Sequence, residues 1–292
     1  MIWSIHRESL SKRLSPTPAY PGGMSDDLSP TIGRTALELA DEAIDFADEL
    51  RTQAERLETG TTIIDAGVAA PGSFDAGLLL ATLRRGGLLA AEIGVGEFGG
   101  HTWPVLEATT SHPTLVAENA TTQSIDELIV SGPALAGYVD PFAVAVVVVD
   151  APIETEQATT IADTLDVDPD ELYLVTISPG SIAWGVDAAA DALESSITTL
   201  MTLGHSPEEL LVEVPIPPTG QGVGDPKQAA EMCCTLGARV FVSVSEEIDQ
   251  GTLTKLPVGE SSPATVTISD ERGLGTTVGE RDTERLVELF SR

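Results

Sequence analysis

Three acidic side chains recur at helical spacing within one apolar segment of the chain. Asp187, Asp191 and Glu194 are separated by four and three residues, so a helix over residues 181–203 would place them on one face. The simplest interpretation is a solvated surface of an acidic protein. The second interpretation is a carboxylate cluster in a site, where mutual repulsion raises one pKa and creates a general acid or base near neutral pH.

Two adjacent cations, Arg84 and Arg85, precede the glycine pair Gly86-Gly87, and no other Lys or Arg occurs in residues 57–226. Cations at the end of a helix are favourable by themselves, by about 0.3–1 kcal/mol. Guanidinium groups are also suited to binding carboxylate or phosphate. The second interpretation is therefore an anchor for an anionic part of a substrate.

Glycine-rich loops follow three predicted strands, at residues 67–73, 178–181 and 218–224. None has the spacing of a phosphate-binding or dinucleotide-binding loop, so we expect turns that shape a pocket. We predict that one arginine of the adjacent pair lines a cleft with the first two loops. The four histidines are scattered without metal-ligand spacing, so the sequence gives no support for a metal site.

The composition indicates a folded protein adapted to concentrated salt. The chain has 46 acidic residues against 15 Lys and Arg, a formal charge of −31, and 42% hydrophobic residues. That apolar content is too high for a disordered acidic tail, and the charge disfavours a nucleic-acid partner. The longest strongly apolar run, residues 143–149, is far shorter than the roughly 20 residues of a membrane span. The only cysteines, Cys233 and Cys234, are adjacent and cannot join distant segments, which predicts a cytoplasmic protein.

Residues 1–23 differ from the rest of the chain, because they contain three cations and one acid. We predict a disordered leader, with translation starting at Met24. A targeting peptide is the alternative, but Ile2, Trp3 and Ile5 make a poor apolar core for one.

Strand and helix patterns alternate along the remaining chain, which predicts an α/β fold with mixed, substantially parallel sheets. We expect an N-terminal α/β part over residues 24–140 and a C-terminal α/β part over residues 141–292. The predicted elements are a helix over 31–57, strands over 62–67, 143–149, 172–177, 210–214 and 238–244, helices over 154–165, 181–203, 226–236 and 283–290, and antiparallel strands over 264–270 and 276–278.

An ordered series of short motifs resembles the archaeal methenyltetrahydromethanopterin cyclohydrolases. The motifs are IDAGV (64–68), Gly72, AG (76–77), GGL (86–88), TSHP (110–113), SGPA (131–134), SI (181–182), Glu194 and PIPP (215–218). The resemblance implies a two-domain α/β subunit with the substrate between the domains, assembled as a homo-oligomer and needing no metal or cofactor. It also implies hydrolysis of the methenyl bridge of a reduced pterin to the N5-formyl form, with methanopterin or folate as the carrier.

The resemblance assigns roles to individual residues. Glu194 matches the glutamate of an Arg-x-x-Glu motif and would be the catalytic base, whereas Asp191 stands at the arginine position and would adjust the pKa of Glu194. Leu135 also replaces a family arginine, and Trp184 replaces a small residue. The expected substrate-binding residues are Arg84, Arg85, Ser181, Ser131, Gly132, His112 and Trp184.

These departures leave three hypotheses open. The first is a divergent cyclohydrolase, and the second is a non-catalytic or repurposed pterin-binding paralogue that lacks the family's arginines. The third is a different hydrolase or isomerase with the same fold.

Overall fold

A computed structural model describes residues 29–219, 224–245, 262–269 and 275–290, together with residues 248, 251, 255–256 and 258–259. The predicted leader and residues 220–223 of the predicted loop at 218–224 lie outside the described residues. The helices are α1 (Ser29–Asp45), α2 (Ala47–Leu50), α3 (Phe74–Arg84), α4 (Pro113–Asn119), α5 (Thr155–Leu165), α6 (Ile182–Thr202), α7 (Pro226–Gly237) and α8 (Thr283–Phe290). The strands are β1 (Gln53–Arg56), β2 (Thr62–Asp65), β3 (Ala90–Phe98), β4 (His101–Thr110), β5 (Thr122–Ile125), β6 (Leu128–Ser131), β7 (Ala143–Val148), β8 (Leu172–Ile177), β9 (Pro207–Pro215), β10 (Arg239–Val244), β11 (Thr265–Ser269) and β12 (Gly275–Gly279).

Two six-stranded sheets enclose a central layer of helices. Sheet A has the order β1-β2-β8-β7-β6-β5, and sheet B has the order β12-β11-β10-β9-β4-β3. Leu79 and Leu83 of α3 pack on sheet A, whereas Leu78 of α3 and most apolar residues of α6 pack on sheet B. Helix α5 covers the other face of sheet A. The α/β prediction is therefore confirmed, and α3 and α6 form the central layer.

Parallel pairing is confined to a few neighbours in the described sheets. Strands β2, β8 and β7 are parallel in sheet A, and β10 and β11 are parallel in sheet B. The other described pairs are antiparallel, as in the β3–β4 hairpin, whose turn has positive φ at Gly99 and Gly100. The sheets are mixed, as predicted, but antiparallel pairs predominate because several neighbouring strands are joined by short turns rather than by crossover helices.

The apolar run at residues 143–149 forms a central strand that is buried on both faces, as predicted. Val144 and Val146 of β7 pack against the central helices, while Ala145 and Val147 face the α5 side. A parallel strand covered on both faces requires this absence of alternating polar residues.

The predicted single helix over residues 31–57 is wrong. Helix α1 ends at Asp45, the short helix α2 follows, and Arg51 has left-handed geometry with φ of 59°. Strand β1 then pairs antiparallel with β2 at the edge of sheet A. All four side chains of β1 are exposed. A helix over these residues would therefore bury little apolar surface, and backbone pairing with β2 is favoured instead.

Each sheet contains strands from both sides of residue 140. The division into two parts at that residue stays a prediction.

In the described part of the chain, none of the helices combines the length and apolar character needed to cross a membrane. Cys233 is buried and Cys234 is partly buried, and both are free thiols.

Candidate active site

Helices α3 and α6 lie unusually close because Gly77 has no side chain. A Cβ atom at Gly77 would lie 2.6 Å from Val186 Cβ and 2.9 Å from the carbonyl oxygen of Ala183. The two helices run in the same direction and stay close as far as the C-terminal end of α3. There Arg84 and Arg85 face α6.

Both arginines bind aspartates of α6. Asp187 accepts from Arg84 Nη1 through Oδ2 at 2.7 Å and from Arg85 Nη1 through Oδ1 at 2.9 Å. Asp191 Oδ1 accepts from Arg84 Nη1 at 2.8 Å and from Arg85 Nη2 at 3.0 Å. Each aspartate therefore contacts both guanidinium groups.

Glu194 is the third carboxyl group of this cluster. Arg85 Nη2 lies 2.5 Å from Glu194 Oε1, and Arg84 Nη2 lies 3.8 Å from Oε2. The Arg85 contact is a close ion pair without hydrogen-bond alignment, so Oε1 is buried without a hydrogen-bond partner among the described residues. The Glu194 side chain keeps 17% of its surface exposed, against 2% for Asp187.

The cluster combines three carboxyl groups with two guanidinium groups, so the charges do not balance when every group is ionised. Burial raises the pKa of Glu194 from 4.5 to about 8; the charge of Arg85 opposes this rise, and the charge of Asp191 adds to it. Burial alone would also raise the pKa of Asp187, but the charges of Arg84 and Arg85 and their hydrogen bonds lower it. The excess proton therefore resides on Glu194 near neutral pH.

The interpretation of the acidic row as a solvated surface is wrong for Asp187, which is buried against the two arginines. Only Asp191 has a half-exposed side chain, at 49%. The spacing correctly placed the three acids on one face, and the adjacent arginines cover that face.

Arg84 and Arg85 do not line a common cleft with loops 67–73 and 178–181, so this prediction is wrong. Their guanidinium groups bind α6, at the opposite end of α3 from Ser73 and roughly 16 Å along the helix. Substrate binding by either arginine stays a prediction.

Ser181 and Trp184 lie at the other end of the central layer. The Ser181 hydroxyl caps α6 by accepting from the Trp184 backbone N–H at 3.1 Å. Trp184 is buried in the core against sheet A. Thirteen residues of helix separate Ser181 from Glu194, or roughly 20 Å, so one small reacting group cannot contact both.

Ser131 is buried at the end of β6, and the next residue, Gly132, is connected through Asn119 to the arginine end of α3. The Gly132 N–H donates to the carbonyl oxygen of Asn119 at 3.1 Å. The Asn119 side chain in turn borders Gly86, where a Cβ atom would lie 2.9 Å from Asn119 Oδ1. Asn119 is fully buried and was not identified from the sequence, because a lone asparagine has no distinctive spacing.

His112 and Leu135 have more peripheral positions. His112 is half-buried ahead of α4, and its backbone N–H donates to Thr110 Oγ1 at 3.0 Å. Leu135 packs against the apolar cluster on the α5 side of sheet A. Roles in substrate binding stay predictions for Ser131, Gly132 and His112.

Asp65 is a further residue whose role the sequence did not reveal. Its Oδ1 accepts from the N–H groups of Gly67 and Val68, at 2.9 and 2.7 Å. Its Oδ2 accepts from Ala69 and Ala70, at 2.7 and 2.8 Å. One carboxylate thus fixes the loop after β2, and Gly67 in that loop leaves room for Ser181.

The fold and the cluster define an α/β protein in which a partly buried carboxyl group, with its pKa raised to about 8, lies beside two guanidinium groups. Such a group is suited to general acid–base chemistry. No three His, Cys, Asp or Glu side chains form a potential metal site within the described ranges.

The family model described as "Cyclohydrolase (MCH)" matches residues 31–125 and 134–262 of this chain. The chain belongs to this cyclohydrolase family. It is 34% identical over 241 residues to a methenyltetrahydromethanopterin cyclohydrolase of Halobacterium salinarum, covering 75% of this chain and 78% of the relative. Proteins of the same name from Methanosarcina mazei (29% identity, 56% of this chain and 57% of the relative) and Methylobacillus flagellatus (28% identity, 80% and 79%) are also similar.

Proposed function

We propose that this protein is a methenyltetrahydromethanopterin cyclohydrolase, which adds water to the methenyl bridge of a reduced pterin and forms the N5-formyl product. The observation that supports this most directly is Glu194, a family-matched carboxyl group that lies partly buried against Arg85 and has its pKa raised to about 8. Membership of the cyclohydrolase family gives independent support.

The reaction needs a base and then an acid, and Glu194 can serve as both. The ionised carboxylate takes a proton as water attacks the electron-poor bridge carbon. The resulting carbinolamine collapses to the formyl group when the bond to the second bridge nitrogen breaks. Glu194 returns its proton to that nitrogen, and the hydroxyl proton leaves to solvent, so one proton is released overall. A pKa near the working pH favours both transfers.

The negative charge of the cluster suits this substrate. Once Glu194 is ionised, three carboxylates face two guanidinium groups, leaving one net negative charge beside a cationic amidinium. Concentrated salt screens exposed charges strongly, but it screens a buried cluster much less. Asp191, at the family's arginine position, therefore adds attraction for the cation.

A second candidate is a pterin-binding paralogue without hydrolase activity. Asp191 and Leu135 at positions where the family has arginine favour this candidate. If the wild-type protein binds the methenyl pterin without turnover, Asp191→Arg combined with Leu135→Arg should restore turnover under this hypothesis. Failure of the double variant to turn over substrate would count against it.

The decisive experiment follows the loss of methenyl absorbance with purified protein in molar KCl, using methanopterin and folate carriers separately. We expect enzyme-dependent loss above the spontaneous rate with the methanopterin carrier. Wild-type absorbance loss no faster than the buffer control with either carrier would refute the cyclohydrolase proposal.

We also infer a homo-oligomer and a cytoplasmic location, and neither a membrane nor a nucleic-acid partner. The family resemblance supports the assembly, and the acidic composition supports the absence of nucleic acid. Light scattering in molar KCl tests the assembly, and a monomer mass would contradict it.

A further inference from the structure

We propose that Asp187 is a positioning residue for Glu194: each of its carboxylate oxygens binds one guanidinium group, and this holds Arg85 in contact with Glu194. The inference rests on the proposed hydrolase function for its kinetic consequences. Asp187 can hold Arg85 in this way without contacting the substrate.

The first support is the geometry of Asp187. Its two oxygens accept from Arg84 Nη1 at 2.7 Å and from Arg85 Nη1 at 2.9 Å, and the side chain is 2% exposed. A carboxylate between two guanidinium groups offsets their mutual repulsion, since Arg84 and Arg85 are neighbours in the chain and point to the same face of α6. Asp191 contacts both arginines through Oδ1 alone and is half exposed.

The second support is the way Arg85 is held. Its side chain is fully buried, and its Nη1 also donates to the carbonyl oxygen of Ala81 at 3.0 Å. With Nη1 fixed by Asp187 and Ala81, Nη2 donates to Asp191 Oδ1 at 3.0 Å and lies in ion-pair contact with Glu194 Oε1. Arg85 therefore connects Asp187, which is buried, to Glu194, which is partly exposed.

The charged surroundings of Glu194 come from two helices. Helix α3 supplies Arg84 and Arg85, and α6 itself supplies Asp187 and Asp191. Cys234 of α7 lies near Asp191, and burial, followed by the charges of Asp191 and Glu231, raises the pKa of this thiol, which stays neutral. The other elements packed on α6 present apolar side chains, namely Val116 of α4, Leu106 and Ala108 of β4, Val212 and Val214 of β9, and Val240 of β10.

Two roles for Asp187 predict opposite changes at Glu194. If Asp187 acts only as a negative charge, replacing it by Asn lowers the pKa of Glu194, because a repelling charge is lost. If Asp187 holds the arginines in place, Asn keeps one acceptor oxygen but turns an NH₂ donor towards the other guanidinium group, which cannot bind it, and the pair separates. Glu194 then loses the attraction of Arg85, and its pKa rises.

The test compares the full-length wild type with Asp187→Asn in molar KCl. The titration of Glu194 is read from the infrared carboxylate band of ¹³C-glutamate-labelled protein, assigned by its loss in Glu194→Gln. We expect the Glu194 pKa to rise above about 8. We also expect kcat to fall about 10- to 100-fold with little change in KM, because the base is displaced. A fall in the pKa, or an unchanged kcat, overturns the proposal.

Asp187→Glu is the second variant, because it keeps the charge and both oxygens but moves them by one methylene group. It should fold even if Asp187→Asn does not, and its kcat should fall by about 10-fold or more. Wild-type kcat and pH profile in Asp187→Glu would also overturn the proposal. Ser196→Ala is the matched control, since within the described residues the buried Ser196 hydroxyl donates only to the carbonyl oxygen of Ala192 in the same helix.

Failure of the proposed function can be recognised separately. If the wild type turns over no methenyl pterin, the hydrolase proposal fails, and the carboxylate titration alone decides whether Asp187 positions Glu194.

Discussion

Arg85 and Asp187 form an ion pair that solvent does not reach: Nη1 lies 2.9 Å from Oδ1, and the side chains are 0% and 2% exposed. Transferring two charges out of water costs several kcal/mol per ion, which their attraction offsets only with additional partners. Here Arg84, Asp191 and Glu194 supply those partners. The stability of this ion pair therefore depends on the whole cluster.

Glu194→Gln should lower kcat by about 10²- to 10⁴-fold, because Gln keeps the size of the side chain but cannot accept the proton of water. Loss of methenyl absorbance in molar KCl measures the rate. Glu213→Gln is the control, since Glu213 pairs with Arg239 in a partly exposed ion pair and should keep the wild-type rate. An undiminished rate in Glu194→Gln would mean that another base operates.

Arg85→Met should destabilise the protein by about 3–5 kcal/mol, because it leaves Asp187 buried beside a single guanidinium group. Urea denaturation in molar KCl measures the free energy of unfolding. Arg239→Met removes a partly exposed arginine from an ion pair with Glu213 and should cost no more than about 1 kcal/mol. Equal losses of unfolding free energy in the two variants would show that burial does not increase the contribution of the Arg85 ion pair to stability.

The stability of the wild type should fall as pH rises from about 4.5 to about 8. Because burial raises the folded-state pKa of Glu194 to about 8, the folded protein binds a proton that the unfolded chain releases near pH 4.3. This contribution is complete below the unfolded pKa and is lost as pH rises through the folded pKa, at up to about 1.4 kcal/mol per pH unit.

Urea denaturation at several pH values tests this slope. It should be absent in Glu194→Gln and retained in a variant of the exposed Glu171, Glu171→Gln. A wild-type stability that is flat or rises over this interval would show that Glu194 is not protonated in the folded state.

Gly77→Ala should destabilise the protein by about 1–3 kcal/mol, because the new methyl group would lie 2.6 Å from Val186 Cβ and push α3 away from α6. Activity should fall with stability, since the arginines of α3 would move relative to Glu194. Gly185→Ala is the control: its methyl group meets Thr219 at 3.4 Å, an ordinary contact, and alanine is a better helix former. Thermal melting and initial rates for both variants measure these effects, and a fully active, stable Gly77→Ala would refute the tight-packing argument.

Sequence patterns predicted the strands and helices whose apolar residues follow one regular pattern from end to end. The run at 143–149 has no polar position, so a strand buried on both faces was the natural interpretation. Helix α6 was equally clear because its apolar residues repeat with helical period over 21 residues. Strand β1 was missed because its pairing with β2 depends on a contact outside its own sequence.

The candidate site was predictable in its parts but not in its assembly. The acidic row and the adjacent arginines each stood out by spacing. However, 102 residues separate Arg85 from Asp187, and no local pattern shows that they meet. That contact requires the close approach at Gly77, and it places Arg85, one of the two arginines predicted as an anion anchor, beside Glu194.

The interleaving of the two sheets has a consequence during synthesis on the ribosome. Strand β4 pairs with β9, and β2 pairs with β8, so neither sheet joins its earlier strands to its later ones until residues about one hundred positions downstream have emerged. Until then β4 offers an open edge, and the acids of α6 have not yet been synthesised to pair with the arginines of α3. Sheet A can be completed only after β8 has emerged, and sheet B only after β12, near the end of the chain. This long-range pairing predicts slow folding, with a need for protection from aggregation while the β4 edge is open.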